Sequence, residues 1–439
     1  YGDGYYAVHP AIPWHLHHLF THHYGPPDTP PAQQAARAWT QTISSLGDYY
    51  HHQYNTGHAD VTGVLGLEEA NLLHARHLAI EHHWPMLIIG AMQGLSVLYR
   101  QTGRAIEWRR LVTELIPVLT DPATGGPRPS LEQDWAILTS YQVRIARTAR
   151  DWPTAQQLQR SSIAWDRQQA ADALAVPPEQ LDGRQRNQIR SLVVDLVDLG
   201  EILREQDDPS CVQPYQEAME LAHRIGSRRE EAVAAYYLGH TYTGPLPGLR
   251  DLDQAQHLYQ QAMELFDEHD TLGRANVLGE LGGVAYLRFL DAQAAGADEE
   301  ELLGYLNDAA GAYREELDMI PADAVNEHAV AHNQLGLIYS EVGDTDQALG
   351  HYLKSIQYEE RQGNTYGAGQ SRYAASRALA EAGRRHDALL YARAALRDYE
   401  TVGPGAAPAA DEARQLITDL QRKQTAEADE SDGNPGRPT

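Results

Sequence analysis

The feature that most constrains the fold of this chain is a repeat forty residues long near its C-terminal end. Gly343 recurs as Gly383, Ala348 as Ala388, Leu349 as Leu389, Ile356 as Leu396, Glu360 as Glu400 and Gly363 as Gly403. Periodic self-similarity of this length is the mark of a repeat architecture, in which one supersecondary unit is copied along the chain. The frame also appears upstream. Leu238-Gly239 with Tyr242 mirrors Leu335-Gly336 with Tyr339, and Asp253-Gln254-Ala255 with Tyr259 mirrors Asp346-Gln347-Ala348 with Tyr352. Tyr215, Ala218, Met219, Ala222 and Gly226 superpose on Tyr352, Ser355, Ile356, Glu359 and Gly363, which makes that segment a second helix whose first helix begins near Arg184.

The spacing within each copy is that of a helix pair. Leu335, Tyr339, Leu349, Tyr352 and Ile356 fall at helical intervals, and the small residues Gly336, Ala348 and Ala388 let two helices approach closely. One pair cannot bury its own apolar face, so pairs must stack into a continuous core, winding into a superhelix with a concave surface. A length of 439 residues suits such an array, which grows without enlarging a single core.

Leu-Gly-x-x-Tyr, then Gly-Asp, then Ala with an aromatic four residues on, is carried here by Leu335, Gly336, Tyr339, Gly343, Asp344, Ala348 and Tyr352. This pattern resembles the tetratricopeptide consensus in a longer-period form. The resemblance implies an all-α fold, a right-handed α-solenoid of about eight tandem helix-turn-helix units. It is specific over 184–403 and looser over 25–183, where Gly103-Arg104 with Trp108 and Arg150-Asp151-Trp152 with Ala155 mark degenerate repeats. Loops are expected at 121–130, 176–183 and 243–250, where Pro and Gly cluster, and an insertion at 293–301 lengthens one repeat. A capping helix is expected at 404–422, and the polar 423–439 is expected to be a disordered tail.

The first 24 residues carry a second resemblance. Tyr5-Tyr6-Ala7-Val8-His9-Pro10-Ala11-Ile12-Pro13-Trp14 is similar to the segment that follows a winged-helix module in bacterial signal-transduction ATPases with numerous domains, of the NB-ARC or NACHT type. In such proteins a nucleotide-binding domain precedes a C-terminal tetratricopeptide sensor. The resemblance implies a ligand-sensing region, with oligomerisation through an attached nucleotide-binding domain outside this chain. The start at Tyr1 rather than a Met agrees with a piece of a longer protein, and the scarcity of lysine, Lys354 and Lys423 alone, with a GC-rich bacterial genome.

Charge narrows the partners. Thirty-five Lys and Arg against 61 Asp and Glu give a net charge of -26, which opposes binding to nucleic acid or anionic lipid and favours a basic protein or peptide ligand. The lone Cys211 can neither close an internal disulfide nor help build a multi-thiolate metal site, as in a cytoplasmic chain. The most apolar stretch, Trp84 to Tyr99, contains Gln93 and runs into Arg100, so it reads as a buried helix and not a membrane span. No secretory signal pattern opens the chain.

Catalytic signatures are missing. There is no GxxxxGK[ST] loop, no HExxH, no GxSxG, no paired CxxC and no EF-hand spacing, so neither an enzyme nor a cofactor is expected. Thirteen of the 21 histidines lie between His9 and His83, with His18/His22 and His74/His77 at one-face helical spacing. They read as surface or interhelical polar groups without a thiolate partner rather than as a zinc site. Asp298–Glu301 reads as the acidic start of a helix. Trp84, Trp108, Trp135, Trp152 and Trp165 read as core within helical segments.

What remains is the groove. In tetratricopeptide arrays the first helix of each pair lines the concave face, and the positions two before and two after the Leu of Leu-Gly meet the ligand. Carried over, these are Tyr236 and His240, Gly279 and Gly283, Asn333 and Leu337, and Tyr373 and Arg377, with Asn276, Glu280, Gln334 and Gln370 beside them. In the last copy Ala375-Ser376 replaces Leu-Gly. Two functions compete: a sensor whose ligand releases an attached module, and a static assembly scaffold. A metal enzyme built on the histidines is a distant third.

Overall fold

The computed structural model describes residues 11–55, 61–244, 246, 248–322 and 324–432. Among them are eighteen α-helices and no β-strand, only an isolated bridge between Thr120 and Pro127. The chain is an all-α array in which helices pack chiefly on their neighbours in sequence. It divides into two compact units, Tyr1–Ala175 and Val176–Thr439.

The first unit holds α1 (Ala11–Tyr24), α2 (Pro30–Asn55), α3 (Val61–Glu81), α4 (Ile88–Gln101), α5 (Ala105–Leu119), α6 (Glu132–Thr148) and α7 (Trp152–Ala175). Helices α2, α3 and α4 all touch one another. Glycine permits the closest crossing: a Cβ on Gly47 would lie 2.2 Å from the Gly90 carbonyl oxygen, so α2 and α4 meet backbone to backbone. Leu65, Leu72, Ile88, Met92 and Leu95 fill the space around that crossing.

Of the five tryptophans assigned to the core, only Trp135 is fully buried; Trp84, Trp108, Trp152 and Trp165 are half-buried. Trp84 is not in a helix at all. It precedes the short 3-10 turn Pro85–Leu87, where Pro85 disfavours helical backbone at the residue before it, and His82 stacks on its ring. The expected buried helix therefore begins at Ile88.

The second unit is a run of helix pairs: α8 (Gly183–Arg204) with α9 (Val212–Arg224), α10 (Arg228–Thr243) with α11 (Leu252–Leu265), α12 (Thr271–Ala295) with α13 (Glu299–Met319), α14 (Val325–Glu341) with α15 (Thr345–Arg361), and α16 (Thr365–Glu381) with α17 (Arg385–Val402). Helix α18 (Ala407–Asp432) packs on α17. Within the pairs one contact recurs: a glycine of the first helix lies under the ring of a second-helix tyrosine. Gly200 meets Tyr215, Gly239 meets Tyr259, Gly282 meets Tyr313 and Gly336 meets Tyr352. The tyrosines at 215, 259 and 352 are almost wholly buried.

Helix ends are set by local chemistry. Gly343 and Gly383 take φ of +77° and +76°, the left-handed conformation that closes a helix and that side chains resist. The insertion at 293–301 is absorbed by lengthening both helices of its pair, with Asp298 accepting from the Glu301 amide at 2.9 Å to start α13. Asp182 starts α8 with a reciprocal cap, accepting from the Gln185 amide at 2.7 Å while the Gln185 side chain accepts from the Asp182 amide at 3.0 Å. Asp182→Ala is expected to cost about 1 kcal/mol, and chemical denaturation of the variant checks it.

The C-terminal end departs from expectation. Helix α18 does not stop at 422 but runs to Asp432. Polarity suggested disorder, yet Lys, Gln, Ala and Glu, which dominate 423–430, are all good helix formers and can extend a helix already nucleated on the stack. Residues 433–439, and the expected extended piece at 5–8, lie outside the described residues.

Candidate functional site

Two clefts open among the first helices of the second unit. The first, about 390 Å³, is walled by Tyr236 of α10, by Asn276, Gly279, Glu280 and Gly283 of α12, by Tyr313 and Glu316 of α13, and by Asn326, Glu327, Val330 and Gln334 of α14. The second, about 440 Å³, is bordered by tyrosines at 286, 352, 366, 373 and 399, with Leu337, Gln370 and Arg377 and the carboxylates Glu341, Glu381 and Glu412.

Of the groove residues derived from the repeat, Tyr236, Asn276, Glu280 and Gln334 meet in the first cleft, and Gln370, Tyr373 and Arg377 in the second. They converge because equivalent repeat positions on successive first helices point the same way. His240 sits behind the first cleft: its Nε2 is 3.5 Å from Glu280 Oε1, and its ring meets those of Tyr236 and Tyr259 at 4.7 and 6.0 Å. Burial, aided by the Arg204 charge, lowers its pKa to about 4. It faces Glu280 as a neutral imidazole, so the contact is not an ion pair.

Asn333 lines neither cleft. Its repeat position is that of Tyr236 and Tyr373, but its amide donates at 2.9 Å to Ser371 Oγ of α16, which lies 2.9 Å from Ser355 Oγ of α15. Two small hydroxyl residues on the next helices draw the Asn333 side chain into the seam between pairs, and of the two groove positions carried over to that repeat only Leu337 lines the second cleft.

The residue that repeat reasoning missed is Glu316. It lies on a second helix, three residues after the tyrosine that meets glycine, where the other pairs have Ala218, Ala262 and Ser355. Those residues are buried, and so is Glu316, at 4% exposure. Its Oε2 is buried without a hydrogen-bond partner. Room for it comes from Gly279, where the equivalent first-helix positions hold Val197, Tyr236, Asn333 and Tyr373; a Cβ on Gly279 would stand 2.9 Å from the Glu316 carboxyl atoms. Burial first, then the charges of Glu280 and Glu327, raises the Glu316 pKa to about 8. Burial raises that of Glu280 to about 7, although Tyr259 donates to its Oε2 at 3.3 Å.

Among its described residues, the histidine-rich segment forms no comparable site. His18, His22, His74 and His77 are exposed on α1 and α3, and His74 packs against Trp39 with ring centroids 5.3 Å apart. Among the described residues no group of three or more His, Cys, Asp or Glu side chains is placed to hold a metal ion. Likewise, among these residues no helix is long and apolar enough to cross a membrane.

The helix pairs, with their repeated glycine-under-tyrosine contact, define the chain as a tetratricopeptide-like helical repeat array. No protein-family model and no curated protein matches it. Solved structures that are similar include BtubC from P. vanneervenii, at 15% identity over 64% of this chain and 95% of that one, with a TM-score of 0.39. Aspartyl phosphate phosphatase F from Bacillus subtilis is 15% identical over 65% of this chain and 69% of its own, TM-score 0.36. A Rap protein complexed with competence and sporulation factor is 11% identical over 88% and 99%, TM-score 0.43. The pairing within the chain itself, and not these distant likenesses, carries the assignment.

Proposed function

We propose that the chain is a protein- or peptide-binding scaffold that receives its ligand on the first-helix face of the second unit, and that it serves as the ligand-sensing region of a signalling ATPase. The observation that supports binding is the pair of clefts, each bordered by side chains from successive first helices. Tyrosine rings offer flat apolar surface with a hydroxyl at the rim, while Gln370, Asn276 and Gln334 can bond a peptide backbone and Arg377 can take a carboxylate. The sensing role is supported by the resemblance over residues 5–14, most of which lies outside the described residues. A P-loop and winged helix encoded upstream of Tyr1 would agree with it, and a coding sequence without them would favour the static scaffold.

The test of the binding surface is a triple variant, Gln370→Ala with Tyr373→Ala and Arg377→Ala, compared with the parent in affinity capture of partners. With an unchanged melting temperature, the variant is expected to lose the captured partner. Capture that persists, while charge reversals on the outward faces of α15 and α17 abolish it, would place the surface elsewhere. With a net charge of -26, the association rate of a basic partner should fall as salt screens the field.

A further inference from the structure

The Glu316 cleft has an unusual construction for a helical repeat. A position that three other pairs fill with Ala or Ser carries a carboxyl group, and the facing position that other pairs fill with a side chain is a glycine. The two departures complement each other: Gly279 vacates the space that the Glu316 carboxyl occupies. A buried carboxyl with an unsatisfied oxygen is costly, since a group removed from water without a partner forfeits its hydration. An alanine there, as in the neighbouring pairs, would avoid that cost, so the structural need for packing does not account for the glutamate.

The surroundings define what would complete it. From α12, Glu280 faces the cleft; from α14, Glu327; from α10, Tyr236; and from α13 itself, Tyr313. The charges that reach Glu316 are those of Glu280 and Glu327, both acidic. Arg204 of α8 reaches Glu280 and His240, but the imidazole stays neutral. Asn276, Asn326 and Gln334 at the margin supply neutral acceptors.

We propose that this cleft is a receptor for one cationic side chain of a bound peptide, a guanidinium or alkylammonium group whose N–H donors satisfy the Glu316 carboxylate between Glu280 and Glu327. This rests on the reading of the first-helix face as the ligand surface and gives that surface its charge preference. The low-dielectric floor of the cleft makes an ion pair there stronger than at an exposed glutamate, and a neutral isostere would donate hydrogen bonds without compensating the buried charge. Because burial favours the protonated carboxyl, capture of a cation near neutral pH displaces its proton to solvent. Proton release is a signature that a surface ion pair would not give.

The experiment uses the full chain and three terminally blocked tripeptides, Gly-Arg-Gly, Gly-Lys-Gly and the citrulline counterpart of the first, followed by saturation-transfer NMR and pH-stat titration. Arginine or lysine peptide is expected to bind at least about tenfold better than citrulline, and the comparison of the two identifies which cation the cleft takes. Up to about one proton should leave per bound peptide near pH 7, falling towards none by about pH 9. Glu316→Gln is isosteric and should abolish the preference and most of the proton release, leaving only the fraction that Glu280 holds near pH 7. Gly279→Ala, whose methyl group would displace the carboxyl, should do the same by a different route. Equal binding of the arginine and citrulline peptides, no binding of any of them, or a preference that survives Glu316→Gln would overturn the proposal. Partner capture that is lost in the Gln370, Tyr373, Arg377 triple variant but intact in Glu316→Gln would retain the binding surface and reject the cation receptor alone.

Discussion

Replacing Gly336 with leucine is expected to unfold the α14–α15 pair locally and to lower stability by roughly 3 kcal/mol or more, at the upper end of overpacking costs. A single Cβ at this position would lie 2.6 Å from Cε1, 2.7 Å from Cδ1 and 2.9 Å from Cζ of Tyr352. The ring cannot retreat easily. Tyr352 is 1% exposed, its hydroxyl lies 3.2 Å from Ser340 Oγ, and Ala348 and Ala375 pack beside it. The clash is graded along the array, which makes the prediction sharper than one substitution. Alanine at Gly239 or Gly200, where the closest ring atom is also 2.6 Å away, should destabilise like alanine at Gly336. Alanine at Gly282, 3.0 Å from Tyr313, should cost less. Hydrogen exchange should localise the damage to the affected pair, because stacked repeats respond mainly through their neighbours. Tyr352→Leu added to Gly336→Ala should recover part of the loss, a coupling that a denaturation cycle measures. Melting and exchange unchanged in Gly336→Leu would show that glycine and tyrosine do not meet.

These contacts were legible in the sequence because each copy repeats the same two constraints, a small residue on one helix and a large one on the other. The offset of forty between Gly343 and Gly383 marks two equivalent helix ends, and both glycines take the same positive φ. The first unit was less legible for a matching reason. Its tightest contact, Gly47 against Gly90, is made once and joins α2 to α4 rather than consecutive helices, so no periodicity advertises it. The end of α18 was obscured because a polar helix and a polar coil share composition; helix propensity was the better guide there than hydropathy.

The candidate site divides along the same line. Arg377, Asn276, Gln334 and Gln370 could be found from the positions around the Leu-Gly pair, and Tyr236 and Tyr373 by carrying one of them, two before the Leu, along the chain, since the backbone geometry repeats even where the side chains do not. Asn333 sits at the same position, yet its direction depends on Ser371 and Ser355, two residues outside its own helix. Glu316 was hidden because second-helix positions were assigned to the far side of each pair. Its signal was present as a mismatch: glutamate where the register has Ala218, Ala262 and Ser355, opposite glycine where it has Val197, Tyr236 and Asn333. In a repeat protein the positions that break the pattern in complementary fashion are as informative as those that keep it.

Stability is expected to fall as pH rises from about 6.5 to 8, and Glu316→Gln is expected to flatten most of that fall. The folded chain holds the Glu316 proton to about pH 8 and that of Glu280 to about 7, against an ordinary value of 4.5 for both. A group whose pKa is raised by folding contributes stability that is fully present below its unfolded pKa. That contribution is lost as pH rises towards the folded one, because the unfolded chain releases its proton first. Between 4.5 and 6.5 the trend is opposed. His240 and His332, both lowered to about 4 chiefly by burial, stay neutral in the fold while the unfolded chain binds protons, which makes stability rise with pH. Above the ordinary histidine value of 6.5 that opposition fades as the unfolded chain's imidazoles lose their protons, and the carboxyls dominate. Each shifted group can contribute a slope of up to about 1.4 kcal/mol per pH unit, so removing the Glu316 charge should stabilise the chain by a few kcal/mol at pH 8 and by little at pH 5. Urea denaturation of parent and variant across this range measures the difference. A variant that tracks the parent in parallel from 6.5 to 8 would mean that the Glu316 carboxyl is ionised in the native state without penalty, and that the cleft already supplies it with a partner.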